Sequence, residues 1–294
     1  MQKDNSITIS RKEIAKFGYL QHVLPKVEQL YLRSGSQDIN AILRQPRLAI
    51  VGSRKVSDYG QAVTKKLSYD LAKAGITIVS GLALGVDSLG HRGAIEAGGQ
   101  TIAVLPCGIN TVYPRSHTGI ARQIIDSNPL SALISEYGGD MLPANYHFLA
   151  RNRIIASMSD AVLITEAAIR SGSLSTANHA LELGIPVMAV PGPIDSPTSQ
   201  GTNNLIKAGA HLVTNPQDVL AIMDIQPATN TVHAYQPDND VEAQIIELID
   251  SNLKTSNEII QNSQCTPEQI HQSLTILEIK GVIRSNDYRT WHLI

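Results

Sequence analysis

The chain has 294 residues, 43% of them hydrophobic, and a net charge of −2, enough apolar material for one sizeable α/β domain plus a smaller one. No apolar run approaches the roughly 18 residues of a membrane span, the opening MQKDNSITIS does not read as a signal peptide, and no membrane partner is expected. Cys107 and Cys265, the only cysteines, and nine scattered histidines show no metal or redox spacing, so reduced thiols, a cytoplasmic setting and no metal or cofactor are expected. The charge is uneven: residues 1–215 hold 20 basic and 15 acidic side chains, residues 216–250 hold seven acids and no base, and residues 251–294 hold four of each. A polyanion should bind the first part and avoid the acidic segment.

Residues 1–44 form a lead-in too short to fold alone, with a helix expected over Arg11–Val23 and a strand over Val27–Leu32. The main domain, 45–223, alternates strand and helix. Strands are expected at 48–52, 76–79, 101–105, 131–135, 161–165 and 186–190, with helices at 59–74, 86–97, 117–127, 151–158 and 174–183. Gly75 and Gly184 stand at left-handed cap positions after their helices, residues 137–148 read as a long loop, and a last short helix and strand run through Ile206 and His211–Val213. Repeated βα units imply a doubly wound, mostly parallel sheet with ligands at the carboxyl ends of its strands. Pro216–Asp240 then turns acidic and proline-bearing and reads as a linker, its connecting part at 224–240.

Residues 241–294 restart a small pattern of three helices and a terminal hairpin, which makes a winged-helix domain. The third helix opens at Thr266-Pro267-Glu268-Gln269, an N-cap, a proline at N1 and a capping-box glutamine. Its apolar face is Ile270, Leu274, Leu277 and Ile279 or its neighbour.

Four loops should converge at the carboxyl edge of the sheet. LAIVGSR ends a buried strand in Gly52-Ser53-Arg54, where free N–H groups at the next helix make an anion site, Gly52 permits close approach and Arg54 offers a fork suited to phosphate. The others are Ser80-Gly81 with Gly85 and Asp87, then Arg151-Asn152-Arg153, then the run Ser171, Gly172, Ser173, Leu174, Ser175, Thr176. Together they suit a row of phosphates. Asp87 is expected to cap its helix, and Glu166, just past a strand, to organise a loop rather than to catalyse. There is no P-loop, no GxGxxG after the first strand and no GxSxG elbow.

LAIVGSRKVSDYG, IVSGLALGVDSLGHRGAIEAGGQTIAVLPCGINTVYP, FLARNRIIASMSDAVLITEA and SGSLSTANHALELGIPVMAVPG resemble the DprA/Smf family of DNA-processing proteins over roughly residues 45–215. The resemblance implies an extended Rossmann domain that binds single-stranded DNA, forms a homodimer, protects incoming strands in natural transformation and loads the recombinase RecA onto them, without being an enzyme. By position, Gly52, Ser53 and Arg54 match the family's phosphate-gripping GSR; Ser80, Gly81, Gly85 and Asp87 its S-G-x-A-x-G-x-D loop; Arg151, Asn152 and Arg153 its RNR; and Ser171 to Thr176 its S-G-S-x-x-T. Phe148 precedes the RNR motif and, like Tyr113, Tyr137 or Tyr146, is placed to stack a base. Many members have Phe-Pro where this chain has Phe148-Leu149, and often an N-terminal helical domain for which 40 residues leave little room.

An enzymatic alternative, a nucleoside-monophosphate phosphoribohydrolase, would need a glutamate three residues after Thr176, where this chain has His179. A transcriptional regulator would need a basic reader, whereas residues 251–294 balance to zero.

Overall fold

The computed structural model describes residues 6–16, 27–44, 46–225, 237–250, 255–263, 265–280, 282–285 and 290–293. The chain divides into two units, Met1–Gln226 and Pro227–Ile294.

In chain order the first unit comprises β1 (Ile7–Ser10), α1 (Arg11–Ile14), β2 (Gln29–Ser34), α2 (Ile39–Arg44), β3 (Arg47–Val51), α3 (Asp58–Lys73), β4 (Thr77–Ser80), α4 (Val86–Glu96) and β5 (Thr101–Gly108). After a short 3₁₀ turn at Arg115–His117 follow α5 (Thr118–Ser127), β6 (Ala132–Tyr137), α6 (Asn145–Ser157), β7 (Ala161–Ile164), α7 (Ser173–Glu182), β8 (Val187–Ala189), α8 (Gln200–Lys207), β9 (His211–Leu212) and α9 (Pro216–Ile222).

The nine strands form one sheet in the order β1-β2-β6-β5-β4-β3-β7-β8-β9. From β6 to β9 every pairing is parallel, while β1 and β2 join antiparallel at one edge. The winding runs outward from β3 through β4 to β6 and then resumes beyond it at β7, so the direction reverses between β3 and β7. In open α/β sheets a ligand crevice forms at such a reversal.

Strand β3 shows how the sequence builds the two faces. All five residues are buried, because a parallel strand is covered on both sides. Side chains alternate. Leu48 and Ile50 pack with Leu67 and Leu71 of α3 and Val86 and Ala94 of α4; Ala49 and Val51 pack with Ile154 and Ile155 of α6 and Ala177 and Ala180 of α7. The helices are thereby fixed on opposite faces, and their ends meet at the carboxyl edge of β3.

Several local expectations change. The first helix is confined to Arg11–Ile14; the remainder of the expected Arg11–Val23 segment lies largely outside the described residues. Strand β1, which no sequence pattern marks, pairs with β2, so the lead-in forms an edge of the sheet. Helix α6 begins at Asn145 rather than 151, so Phe148 is helical. The acidic stretch from Pro216 is not all linker: Asn215 accepts the Asp218 N–H at 3.0 Å and caps α9, whose Val219 and Leu220 enter the core. Residues 226–236 of the connecting segment lie outside the described residues.

The second unit contains α10 (Asp240–Asp250), α11 (Ser256–Asn262), α12 (Pro267–Ile279) and an antiparallel pair, β10 (Ile283–Ser285) and β11 (Trp291–Leu293). Ile270, Leu274 and Leu277 of α12 enclose a small core with Ile245, Ile249, Ile259 and Ile283. Ile279 is 80% exposed and does not belong to that face, which ends at Leu277.

One buried group makes stability depend on pH. His91 is fully buried; its Nδ1 lies 2.7 Å from the Thr101 hydroxyl and its Nε2 has no hydrogen-bond partner. Burial pulls its pKa from 6.5 to about 3, assisted by the Arg151 charge. The folded state therefore holds His91 neutral while the unfolded chain takes up a proton below pH 6.5, so this contribution is complete above that pH and declines toward pH 3. The stability gap between the wild type and His91→Gln should shrink by up to about 1.4 kcal/mol per pH unit below 6.5, measured by urea unfolding from pH 7.5 to 5; a gap independent of pH would refute a neutral buried imidazole.

Candidate functional site

At the carboxyl ends of β3 and β7, where the winding reverses, lies a cavity of about 660 Å³. It brings together Gly52, Ser53 and Arg54 after β3, Asp87 of α4, Phe148, Arg151 and Asn152 of α6, and Ser171, Gly172, Ser173 and Thr176 at the start of α7. Lys55, Tyr113 and Thr198 also line it.

The turn after β3 is tied at both ends. The Ser53 N–H donates to the Glu166 carbonyl at 2.7 Å, and the Val86 N–H donates to the Ser53 carbonyl at 3.1 Å. Lys55 N–H donates to Ser53 Oγ, and Ser53 Oγ donates to the Lys55 carbonyl at 2.7 Å, so this hydroxyl closes its own loop. The buried Glu166 carboxylate accepts the Ser57 N–H at 3.1 Å and the Ser57 hydroxyl. Glu166 is a loop organiser.

These ties leave Arg54 exposed at the mouth. Among the described residues no carboxylate pairs with it; its guanidinium carbon lies 5.1 Å from the centre of the Phe148 ring, and that ring meets Tyr113 edge-on at 5.5 Å.

Arg151 occupies the floor and is 4% exposed. Its Nη1 donates to the carbonyls of Gly81 and Val104, each at 2.5 Å, and its Nε to Asn152 Oδ1 at 3.2 Å. Burial lowers its pKa to about 10, against the opposing pull of Asp87, so it is cationic at neutral pH. Gly81 is required beside it, because an added Cβ would run into the guanidinium. Asp87 does not cap α4: its carboxylate accepts the Gly81 N–H at 3.2 Å and holds the turn after β4. Burial raises its pKa, while Arg151 opposes that rise.

The start of α7 supplies the opposite wall. Gly172 occupies the N-cap without a side chain to satisfy the helix, and the positive end of the dipole favours an anion. Thr176 is 1% exposed and its Oγ1 has no hydrogen-bond partner, an uncompensated buried polar group of the kind a ligand satisfies. Asn152 Nδ2 fastens this wall by donating to Ser175 Oγ at 2.9 Å and the Gly172 carbonyl at 3.2 Å.

The remaining positions lie off the main cavity. Ser80 is buried and its hydroxyl donates to the Ile50 carbonyl at 2.6 Å, stitching β4 to β3. Gly81 lines a smaller recess of about 80 Å³ shared with Arg54, Tyr113 and Phe148. Gly85 lies beneath the arginine turn. Arg153 is turned away: its Nη2 pairs with Glu136 of β6 at 2.5 Å. Successive helical residues point about 100° apart, so an arginine pair flanking one residue cannot share a face, and only Arg151 reaches the cavity.

Gly85 has φ +77 and ψ −128, a conformation open essentially to glycine alone. A Cβ there would strike the Ser53 carbonyl and lie 2.9 Å from Arg54 Cα. Gly85→Ala is expected to cost about 2–3 kcal/mol and to displace Arg54. Chemical denaturation and anion binding should both register it; an unchanged unfolding midpoint would count against the strained turn.

The fold and this strand-end cavity define a Rossmann-like α/β domain with two arginines lining the crevice at its winding reversal. A family model described as DNA recombination-mediator protein A matches residues 18–224, and the chain belongs to that family. Protein Smf of Escherichia coli is 48% identical over 174 residues, 59% of this chain and 46% of that protein. The solved DNA processing protein A of Streptococcus pneumoniae superimposes with a TM-score of 0.67 at 36% identity, covering 74% of each chain. That of Helicobacter pylori, solved for its single-stranded DNA binding mode, gives 0.64 at 30% identity and covers 76% of this chain and 98% of that one. This chain spans 45% to 70% of the length of the curated relatives it matches.

Proposed function

We propose that the chain binds single-stranded DNA through the strand-end cavity, as a non-enzymatic carrier that protects the strand and helps load RecA onto it during DNA uptake. A homodimer working in the cytoplasm fits this role. The observation that carries the reading is the placement of two guanidiniums at different depths of one cavity, Arg54 at the mouth and Arg151 on the floor, facing the start of α7. Such a site grips phosphates without reading sequence, and Phe148 and Tyr113 at the mouth provide faces for bases. The Helicobacter pylori neighbour, described by its binding of single-stranded DNA, supports the same assignment. Among the described residues no helix is long and apolar enough to cross a membrane.

The aromatic faces of Phe148 and Tyr113 in the cavity lining favour a strand with free bases over a duplex, whose bases are already stacked. Fluorescence anisotropy with a single strand and its matching duplex tests this: the single strand should bind more tightly, with a shallow salt dependence of about two to four released ions per protomer. Equal binding to duplex would defeat the proposal. An enzymatic role would release free base from a nucleoside monophosphate; the residue where that chemistry places its glutamate is His179, whose Nδ1 approaches Glu182 at 3.5 Å. RecA loading is tested by the rate at which RecA coats a strand in the presence of this protein, which should rise.

A further inference from the structure

Arg54 and Phe148 are each suited to a nucleotide, the first to its phosphate and the second to its base, yet here they engage one another. The guanidinium carbon stands 5.1 Å from the ring centre, within the range of a cation–π contact. The same ring meets Tyr113 edge-on at 5.5 Å. Arg54 makes no ion pair among the described residues, the buried Asp87 carboxylate attracting it only weakly from the cavity, and the turn that carries it is fixed by Ser53 and Val86 backbone bonds, so the freedom that remains is in the arginine side chain. Arg54, Tyr113 and Phe148 line both the main cavity and the smaller recess beside it.

We infer that the Arg54–Phe148 contact is a gate that couples recognition of base and phosphate. Resting on the assignment of the cavity to single-stranded DNA, it works by exchange. A phosphate arriving alone must pull Arg54 off the ring and leave the aromatic face bare to water. A nucleotide takes Arg54 onto its phosphate and lays its base on the face just vacated, so the lost contact is replaced in the same step. The site thus discriminates against anions without a base, including inorganic phosphate and an abasic sugar–phosphate chain. Arg54 and Phe148 act as one specificity device.

The test compares a thymidine oligonucleotide with an abasic one of equal length, by anisotropy, in the wild type, Phe148→Ala, Phe148→Leu and Arg54→Ala. Phe148 is only partly buried, and the leucine variant keeps apolar bulk while removing the π face. Losing a cation–π contact of ordinary strength corresponds to about two- to fivefold in affinity. Both Phe148 variants should therefore bind the abasic strand about two- to fivefold more tightly than the wild type, while binding the thymidine strand more weakly. Abasic binding that is unchanged or weaker in both variants overturns the gate while leaving the cavity assignment intact, provided Arg54→Ala still weakens thymidine binding by about 30-fold or more. Indifference of thymidine binding to Arg54→Ala overturns the assignment itself, and the gate with it.

Discussion

Arg54→Ala is expected to lower affinity for a single strand by about 30- to 150-fold, the equivalent of about 2–3 kcal/mol for a charge-assisted bond to phosphate. Fold stability should stay within about 0.5 kcal/mol of the wild type. The separation of these effects follows from geometry. Arg54 is exposed, makes no ion pair among the described residues, and touches the protein chiefly through the Phe148 ring, while its turn is held by the backbone of Ser53. Removing it takes a cation from the mouth without disturbing the walls. The salt dependence of binding should fall by about one released ion. Anisotropy over a salt series, paired with thermal unfolding, measures both quantities; a variant that binds as the wild type does would dismiss the cavity as the DNA site.

Much of this architecture is legible in the chain because the physics is local. A strand covered on both faces must be apolar throughout, and Leu48–Val51 is. Glycine after a helix marks its end, and the positive φ of Gly75 and Gly184 agrees with that reading. The turns after β3 and β7 converge on one cavity with Asp87 of α4 and Arg151 of α6, because a doubly wound sheet collects strand ends on one edge.

What the sequence hides is helix phase and unusual capping. Ala144, which cannot cap by its side chain, precedes α6, and its N–H donates to His147 Nδ1 at 2.9 Å; Asn145 already lies inside the helix, so no capping side chain announces the start. With the boundary misplaced to 151, the motif Arg151-Asn152-Arg153 looks like a loop whose side chains all reach the ligand. On a helix it divides into a floor residue, a residue fastening α7 and a partner for Glu136. The error at Pro216 is different. Asn215-Pro216-Gln217-Asp218 is a capping box of the same kind as Thr266-Pro267-Glu268-Gln269, but the acidity of the surrounding stretch masks it. Asp87 illustrates a third limit: an acid in the first turn of a helix suggests a cap, whereas here the glycine turn before it offers the Gly81 N–H, a partner that only the folded loop presents.

Arg151→Met should be the most destabilising of these changes, by about 3–5 kcal/mol. The arginine does two jobs that a thioether cannot do. Its Nη1 satisfies the Gly81 and Val104 carbonyls, and its charge compensates Asp87, which is buried beside it. Without the cation, the carboxyl whose pKa burial already raises should rise further. The sign of the pH dependence follows. A carboxyl with a folded pKa above its unfolded value is easier to bury once protonated, so the variant's deficit should be greatest at neutral pH and should narrow as the pH falls through that raised pKa. Adding Asp87→Asn to Arg151→Met should recover part of the loss at pH 7.5 and remove most of its dependence on pH. Urea unfolding of the wild type, the single variants and the double variant at pH 7.5 and 5 measures the coupling directly. If the Arg151→Met deficit is the same at both pH values and Asp87→Asn recovers nothing, the two charges are not coupled, and Arg151 supports the cavity only through its two carbonyl bonds.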